Sequence, residues 1–574
     1  MSRDHMKKKG VIVGLSIPGI YPPGRTDVVL DTLAPAFLKS CVQSDPDLNS
    51  RYDIEIINST IDTDLEALAR EISEKDPYFV GYSVYVWNYE QMRENSARVR
   101  ELLPDTKLIA GGPQVSFTAE ETLLENPQID LVICGEGEAR FKDVLRGDIQ
   151  HEMFHTIPLV SYRDAKGEIV QTSGDMGAIR REMTTVPSPF QNGTINLDDG
   201  QKHSVMIETF RGCPMRCSYC QWGDPDGTLQ KFQLEQVLRD IDIVYNNPNV
   251  EFAYLVDANL FYTPRTHWKP IVERIRDASR KIPTVATLDI RAFNDEMVEL
   301  FSQLELAFNQ FHFGLQSTNP EALDLANRRC SDDLWLSRIK RIREIAPQIE
   351  ISLDMIYGMP GDDYDGFMST VDFALKLEPT RLYMFPLQVL PGTGYWDLKD
   401  DPKYGFKLSD KPEYMAYSNA TYSESDMRRS YEFSTWFQAL QRFYPIRDAV
   451  LSIDGDGRKV DNVKTYFEYL KQKIDPILGM SFDFSIHSDN RIRRHFMNTM
   501  ALPKNAKLAY DAAIEMMSGK RDIDDVRLGA EFYDRLSRSG KSPESIEEDF
   551  KGLYGADRVD YVKCNWVNSD NLGA

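Results

Sequence analysis

The stretch ETFRGCPMRCSYCQWGD, residues 208–224, is the most informative part of this sequence. It places Cys213, Cys217 and Cys220 in C-x3-C-x2-C spacing, although the chain of 574 residues has only seven cysteines. One loop with this spacing can direct three thiolates at one inorganic centre, and thiolates favour iron–sulfur clusters or zinc. A structural site normally has four protein ligands, and no fourth cysteine lies nearby. Three ligands to a four-iron cluster leave one iron open to a small molecule, whereas zinc would need a distant fourth ligand.

The cysteine loop follows the first of six apolar segments that we interpret as buried strands. Helical patterns separate these segments, as in residues 234–245, where apolar side chains recur at helical spacing. Six strand–helix units predict a barrel or partial barrel over residues 204–400. Catalytic groups of such barrels collect at the carboxyl ends of the strands, which is where the cysteine loop lies. The predicted strands are 205–210, 252–257, 285–290, 311–316, 351–358 and 382–390.

Residues 1–150 contain a separate alternation of strands and helices. This pattern predicts an α/β domain with a doubly wound, Rossmann-like parallel sheet. A helix is predicted near residues 26–38, after the first strand. No G-x-G-x-x-G motif follows that strand and no P-loop is present, which disfavours a dinucleotide or a nucleotide. The predicted strands are 10–17, 52–59, 78–86, 107–112 and 131–138.

Three strand ends of this first domain carry the candidate binding residues. Ligands of doubly wound sheets bind beyond the carboxyl ends of the strands. Glycines at those ends let a bulky ligand approach the backbone closely. The three strand ends are Ser83-Val84-Tyr85, Gly111-Gly112-Pro113 and Gly135-Glu136-Gly137-Glu138.

The rest of the chain and its composition set outer limits on function. We interpret residues 151–203 as a connector and residues 401–574 as a mainly helical region. The formal net charge of −22 disfavours a nucleic-acid partner, because phosphate backbones would be repelled. No window approaches the ~18 apolar residues of a membrane span, and the start shows no secretory signal, so a cytoplasmic location without membrane attachment is expected.

The three-cysteine loop on a barrel strand resembles the radical S-adenosylmethionine (SAM) superfamily, over roughly residues 204–395. The resemblance implies a [4Fe-4S] cluster on the three cysteines, with the amino and carboxylate groups of SAM on the open iron. It also implies an external electron donor of the flavodoxin or ferredoxin type, whose electron cleaves SAM to a 5′-deoxyadenosyl radical.

The same resemblance implies SAM contacts, although the family's Gly-Gly-Glu motif is absent here. Tyr219 is expected near adenine, and Asp257 and Asn259 occupy the place of the missing motif. Arg291 and Gln316 are candidates for the carboxylate and the ribose. For Asp257, Arg291 and Gln316 a strand-end salt bridge or cap is the alternative. The glycine motif of the fifth strand resembles residues 356–361 and includes Gly358.

The first domain resembles the cobalamin-binding domain of one radical SAM subclass, the class B methylases. A Ser-x-Leu-like turn followed at this distance by Gly-Gly is typical of the pocket for the dimethylbenzimidazole tail. The cobalt-binding D-x-H-x-x-G motif is missing, and the loop at 17–27 reads IPGIYPPGRTD. Cobalt would then lack a protein ligand, or a residue of 85–87 would cover its lower face, or the domain would be a relic. The implied cobalamin contacts are Ser83, Tyr85, Val86, Trp87, Gly111, Gly112, Pro113, Gly135, Glu136 and Gly137.

The combined resemblance implies an enzyme, a cobalamin-dependent radical SAM C-methyltransferase that acts on a carbon of a small molecule or peptide. Rearrangement or cyclisation without methyl transfer is the alternative within the same cofactor class. A tRNA methylthiotransferase would need a second cysteine trio and a basic terminal module. A corrinoid- or redox-sensing binding protein is the alternative from another class. The C-terminal helices are expected to cover the barrel mouth, Tyr395 and Trp396 are candidates to line the substrate cavity, and no catalytic residue is assigned.

Overall fold

The computed structural model describes most of the chain. The described residues are 7–17, 27–147, 153–164, 166–174, 185–222, 228–410, 412–453, 457–478, 496–497, 499–517, 523–538 and 541–563. Most of the loop at 17–27, where the cobalt-binding motif would stand, lies outside these residues.

The strands and helices are numbered here in chain order. The strands are β1 (Lys8–Ser16), β2 (Val28–Leu30), β3 (Tyr52–Thr60), β4 (Phe79–Ser83), β5 (Lys107–Gly111), β6 (Leu131–Ile133), β7 (Val160–Arg163), β8 (Ile169–Gln171), β9 (Lys202–Ile207), β10 (Phe210–Arg211), β11 (Gln230–Lys231), β12 (Val250–Leu255), β13 (Thr284–Ala286), β14 (Gln310–Gln316), β15 (Glu350–Tyr357), β16 (Arg381–Pro386), β17 (Lys407–Leu408) and β18 (Ala416–Ser418). The helices are α1 (Leu33–Gln43), α2 (Pro46–Arg51), α3 (Leu65–Glu74), α4 (Tyr89–Leu102), α5 (Pro113–Ser116), α6 (Ala119–Glu125), α7 (Gly137–Arg146), α8 (Leu234–Asn246), α9 (Arg265–Arg276), α10 (Asp295–Phe301), α11 (Pro320–Leu325), α12 (Asp332–Ile345), α13 (Tyr364–Lys376), α14 (Gly394–Asp397), α15 (Glu424–Leu440), α16 (Tyr444–Leu451), α17 (Lys459–Leu478), α18 (Pro503–Met516), α19 (Asp524–Arg538), α20 (Pro543–Tyr554) and α21 (Ala556–Val562).

The N-terminal domain is built on a seven-stranded sheet in the order β3-β1-β4-β5-β6-β7-β8. The first five strands in that order are parallel, and β7 and β8 join antiparallel at one edge. A separate hydrophobic cluster covers each face of the sheet. The doubly wound α/β domain predicted from the sequence is therefore confirmed, and its sheet continues past residue 150 into the segment predicted as a connector.

The second unit is a partial barrel of parallel strands. One sheet has the order β13-β12-β9-β2 and the other has the order β14-β15-β16. Two isolated parallel bridges, Thr284 to Leu306 and Leu288 to Phe313, join the two sheets. The six predicted barrel strands are thus confirmed as β9, β12, β13, β14, β15 and β16.

The N-terminal domain contributes an extra strand to this barrel. Residues Val28–Leu30 form β2 and pair in parallel with β9, so that Val28 lies opposite Lys202. The helix predicted near residues 26–38 is therefore wrong in its first part, and α1 begins only at Leu33. Backbone pairing with a strand far along the chain overrides the local helical pattern here.

Helices rather than a further strand cover the other edge of the barrel. The side-chain amide of Gln441 accepts a hydrogen bond from Leu382 N at 2.5 Å and donates one to Leu382 O at 2.9 Å. It thereby satisfies backbone groups that an edge strand would otherwise leave open. Trp436 and Phe467, from α15 and α17, belong to the same hydrophobic core as the barrel, with ring centroids 6.0 Å apart. The predicted helical C-terminal region is therefore confirmed. Among the described residues, no helix combines the length and the apolar character that crossing a membrane requires.

Candidate functional site

The cysteine loop begins where the first barrel strand ends. Gly212 and Arg216 adopt positive φ values, +91° and +50°, and turn the chain around the three cysteines. None of the three cysteines is in a disulfide bond. Burial raises the pKa of the Cys220 thiol to about 11 and raises that of Cys213. The thiols therefore release protons when a metal centre binds, as metal–thiolate sites require.

The donor set fits a cluster with an open iron better than a zinc site. The loop offers three thiol ligands. A structural zinc ion needs four ligands around one point. The loop is also fixed from two sides, because Ser218 N donates to Ala326 O at 3.0 Å and Tyr395 N donates to Ser218 O at 2.8 Å.

Asp257 holds the strand end that leads into the loop. Its carboxylate accepts hydrogen bonds from Thr209 N at 2.8 Å, Phe210 N at 3.1 Å and Thr209 Oγ1 at 2.8 Å. The residue is only 2% exposed, and burial raises its pKa to about 7. Asn259 is fully buried and caps a short turn by accepting from Phe261 N at 3.0 Å. Asp257 thus holds the strand end that leads into the cysteine loop, and Asn259 caps the turn at Leu260–Tyr262.

Asp289 is a charged centre at the end of the third barrel strand that the sequence analysis did not identify. Arg291 donates to it from Nε at 2.9 Å and from Nη2 at 2.5 Å, and Tyr262 OH donates at 2.6 Å. Burial opposes ionisation, but the hydrogen bond from Arg291 and the charge of Arg328 hold the pKa of Asp289 at about 2. Arg291 therefore forms the strand-end salt bridge considered as its alternative role.

The sequence analysis also did not identify Arg328, which lies directly beside the cysteine loop. Its Nη1 donates to Cys217 Sγ at 3.6 Å and lies 3.6 Å from Asp289 Oδ2, while its Nη2 donates to Gly314 O at 2.6 Å. A mostly buried guanidinium in this position can receive a carboxylate through two parallel hydrogen bonds. The only sequence signal is an arginine pair after α11, of which Arg329 is exposed and paired with Asp324.

Gln316 and Gly358 end neighbouring strands at the same mouth of the barrel. Gln316 has a φ of +68°, rare for a residue with a side chain, at an irregular point of the β14–β15 pairing. Such strained conformations cluster at ligand sites. Gly358 has a φ of +86°, and its carbonyl accepts from Asn419 Nδ2 at 2.8 Å. The aromatic ring of Tyr219, also predicted here, packs partly buried beside the loop.

The predicted cobalamin residues come together at one edge of the N-terminal sheet. The ends of β4, β5 and β6 are neighbours there. Tyr85 and Trp87 stack with ring centroids 4.4 Å apart, and Trp87 remains 40% exposed. Gly112 has a φ of +120°, and a Cβ at this position would lie 2.4 Å from Val84 O. Only glycine fits that backbone crossing. The other predicted residues of this edge are Ser83, Val86, Gly111, Pro113, Gly135, Glu136 and Gly137.

The two sheet edges meet at a buried group of charges around Arg211. Arg211 pairs with Glu138 at 2.8 Å and Glu208 at 2.9 Å, and also with Glu136. Glu136, predicted to contact cobalamin, is thus an ion-pair partner of the cysteine-loop strand. Burial raises the pKa of Glu208 to about 7, and the neighbouring Glu136 carboxylate adds to the rise.

The segment after the sixth barrel strand contacts the cysteine loop through the hydrogen bond from Tyr395 N to Ser218 O. Tyr395 is fully buried, so its ring packs in the protein and does not line an open cavity as predicted. Trp396 is partly buried and packs edge-on against Tyr414, with ring centroids 5.0 Å apart. Tyr414 OH in turn accepts from Gln114 Nε2 of the N-terminal domain at 2.9 Å.

Comparison with known proteins agrees with this architecture. The Radical SAM superfamily matches residues 207–374, and the B12 binding domain matches residues 48–145. The cobalamin-dependent radical SAM methyltransferase TokK from Streptomyces tokunonensis is 23% identical over 415 residues, which cover 69% of this chain and 59% of that protein. The 2-(S-pantetheinyl)-carbapenam-3-carboxylate methyltransferase of Streptantibioticus cattleyicolor is 24% identical over 387 residues, covering 64% of this chain and 55% of that protein. The matched region thus spans little more than half the length of these relatives.

A solved structure shares the whole architecture. The cobalamin-dependent S-adenosylmethionine radical enzyme OxsB, with aqua-cobalamin and S-adenosylmethionine bound, superimposes with a TM-score of 0.62 at 14% identity. The match covers 97% of this chain and 84% of that one, so the likeness of fold includes the helical C-terminal region.

A B12-binding domain followed by a radical SAM barrel defines the class of cobalamin-dependent radical SAM proteins. The chain carries both domains: the radical SAM domain implies a [4Fe-4S] cluster and SAM, and the B12-binding domain implies cobalamin.

Proposed function

We propose that this protein is a C-methyltransferase that moves a methyl group to a carbon atom of a small molecule or peptide. The observation that carries the proposal is the pairing of Arg211, on the strand that enters the cysteine loop, with Glu136 and Glu138 of the cobalamin-binding domain. The cofactor edges of the two domains are thereby held against each other. When bound, the cluster with SAM supplies a 5′-deoxyadenosyl radical, and cobalamin supplies a methyl group.

Cys213, Cys217 and Cys220 are proposed to hold the cluster, with Asp257 fixing the strand end beneath them. Arg328 is proposed to bind the SAM carboxylate, because its mostly buried guanidinium lies beside Cys217 of the cysteine loop. Gln316 and Gly358 are proposed to contact the rest of SAM through the strand ends that they occupy, and Tyr219 to lie near adenine.

On the other side, the glycines of the β5 and β6 ends are proposed to admit the cobalamin tail beside Ser83. The stacked rings of Tyr85 and Trp87 would lie against the corrin and exclude water from that side of it. An external one-electron donor of the flavodoxin or ferredoxin type is proposed to reduce the cluster.

A reaction without methyl transfer is the second candidate function. The observation that favours it is the description of OxsB, which matches 97% of the chain, as a radical enzyme and not as a methyltransferase. The two curated relatives above are named as methyltransferases, which favours methyl transfer.

The decisive experiment is anaerobic reconstitution with iron, sulfide and hydroxocobalamin, followed by reaction with methyl-deuterated SAM and a reductant. We expect about four irons and one corrinoid per chain, release of 5′-deoxyadenosine, and deuterated methyl in a product from candidate small molecules or peptides. Cys217→Ala should lose the iron, whereas Cys41→Ala, at a buried cysteine of α1, should retain it.

The outcomes separate the alternatives. A protein that retains zinc and no iron contradicts the radical SAM site. A protein that forms 5′-deoxyadenosine and a rearranged product without label supports the second candidate function over methyl transfer.

A further inference from the structure

The inner face of the barrel carries polar side chains that the proposed cofactor sites do not use. On β14, β15 and β16 the register places His312 opposite Ser352, and Asp354 opposite both Gly314 and Tyr383. Successive side chains of a strand alternate between the two faces. The intervening residues, among them Phe313 and Leu353, belong to the hydrophobic core under the outer helices. His312, Ser352, Asp354 and Tyr383 therefore share the face toward the barrel interior.

Three of these side chains are in contact, and Ser352 lies opposite His312 in the strand register. His312 Nε2 lies 2.7 Å from Asp354 Oδ1, and the rings of His312 and Tyr383 are 5.6 Å apart at an angle of 31°. The side chains of His312 and Asp354 keep exposed fractions of 37% and 27%, although both stand on strands inside the fold. An accessible surface on such strands indicates open space beside them.

Several polar atoms of this group lack a protein partner. Ser352 is 0% exposed, and its hydroxyl has no hydrogen bond among the described residues. In the same part of the chain, Nδ1 of His312 and the second oxygen of Asp354 also have no partner. Buried polar groups in native proteins are normally satisfied, so the unpartnered Ser352 hydroxyl points to a ligand.

The group is directly continuous with the proposed SAM contacts. A Cβ at Gly314 would lie 2.4 Å from Gln316 Nε2 and 3.1 Å from Arg328 Nη2. Both side chains therefore lie next to Gly314, which is opposite Asp354 in the β14–β15 register. A molecule seated against His312 and Asp354 would extend toward the strand ends where Gln316 and Arg328 lie. That placement suits a substrate rather than a second cofactor.

We propose that His312, Ser352, Asp354 and Tyr383 form a subsite that binds a neutral amide group of the substrate. A carboxylate offers no donor to the free oxygen of Asp354, and an ammonium offers no acceptor to the hydroxyls of Ser352 and Tyr383. An amide can donate its N–H to the free oxygen of Asp354 and accept at its carbonyl from Ser352 or Tyr383. Identification of the ligand as the substrate rests on the proposed function, whereas amide binding itself does not.

The test compares isobutyramide, isobutyrate and isobutylamine by ligand-observed NMR with the protein carrying its cluster and cobalamin. We expect the amide to bind at least tenfold more tightly than the other two. Asp354→Asn replaces the free acceptor oxygen by an N–H donor and should reverse the order of amide and carboxylate. Ser352→Ala should weaken amide binding about threefold to tenfold. Tyr357→Phe, on the opposite face of β15, should leave the order unchanged.

Equal binding of the three compounds, or an amide preference that survives Asp354→Asn, overturns the subsite. The readout needs no turnover. A protein that prefers the amide but transfers no methyl group would therefore refute the proposed function and leave the subsite intact.

Discussion

Arg211, two residues before Cys213, pairs with Glu138 of the cobalamin-binding domain at 2.8 Å. The same guanidinium also pairs with Glu208 and lies over the rings of Phe37 and Phe232, at 5.4 and 5.8 Å from their centroids. A single side chain thus joins the cysteine-loop strand, the segment that follows β6 of the N-terminal sheet, and α1. The spacing between the two proposed cofactor sites depends on it.

Replacing Arg211 should therefore weaken both the fold and the corrinoid site. In Arg211→Met the buried carboxylates of Glu136, Glu138 and Glu208 lose their cation, and the free energy of unfolding should fall by about 3–5 kcal/mol. Urea denaturation measures this loss, and gel filtration after reconstitution should show less retained corrinoid.

The control for Arg211 is Arg146→Met. Arg146 pairs with Asp45 at 2.6 Å but has a side chain that is 47% exposed. Loss of this surface pair should cost less than about 1 kcal/mol. Equal losses for the two variants would contradict a special role of Arg211.

Glu208 should make stability depend on pH near neutrality. Burial raises its folded-state pKa to about 7, above the ordinary value of 4.5, so the folded protein binds this proton more tightly than the unfolded chain does. The resulting stabilisation is complete below the ordinary pKa and is lost as the pH rises to about 7, with a total on the order of 3 kcal/mol. Unfolding measured from about pH 5.5 to 8 should show this decline in the native protein. Glu208→Gln should make the decline shallower, and the buried Asp257, whose pKa is also raised to about 7, should contribute to the slope that remains.

Glu296→Gln is the matched control for the pH experiment. Hydrogen bonds from Arg265 and Lys269 lower the pKa of Glu296 to about 2, far below this pH range. The control should keep the slope of the native protein. A slope in Glu208→Gln equal to that of the native protein would assign the pH dependence to other groups.

Gly112 should not tolerate a side chain. Its φ of +120° is open almost only to glycine, and a Cβ would lie 2.4 Å from Val84 O. Gly112→Ala should lower the free energy of unfolding by about 3 kcal/mol and reduce corrinoid retention, measured by absorbance after gel filtration. Gly193→Ala is the control, because Gly193 also has a positive φ, +74°, but no atom lies within 4 Å of its added Cβ. An equal effect at both positions would show that backbone strain alone, without the Val84 contact, is responsible.

Arg328→Met should weaken SAM binding tenfold to a hundredfold, because a charge-assisted hydrogen bond to the carboxylate is worth about 1.5–3 kcal/mol. Equilibrium dialysis of the reconstituted protein with labelled SAM measures the change. Arg328→Lys keeps the charge but not the paired N–H donors, and should recover part of the affinity. Arg329→Met, at the exposed neighbour, should bind SAM normally. Unchanged binding in Arg328→Met would assign the carboxylate to another group.

Much of the fold was predictable because its signals are local. Alternating apolar segments and helical spacing marked the strands of both sheets, and glycines marked the strand ends at Gly111, Gly112 and Gly358. The strand at Val28–Leu30 was mistaken for a helix, because its partner β9 lies far along the chain. Asp289 and Arg328 escaped notice for a similar reason, since their burial and their contact with one another arise only when strand ends and α11 meet at the barrel mouth.

By itself, the amino-acid order determined the three-cysteine loop, the two successive α/β units and the helical C-terminal region, because spacing and periodicity act over a few residues. Only the tertiary structure decided that Arg211 joins the two units and that Asp257 accepts hydrogen bonds from the strand end before the cysteine loop. It also decided that polar side chains from three strands share the barrel interior. Those relationships depend on which distant segments become neighbours and on which groups lose water, and neither can be read from a linear order of residues.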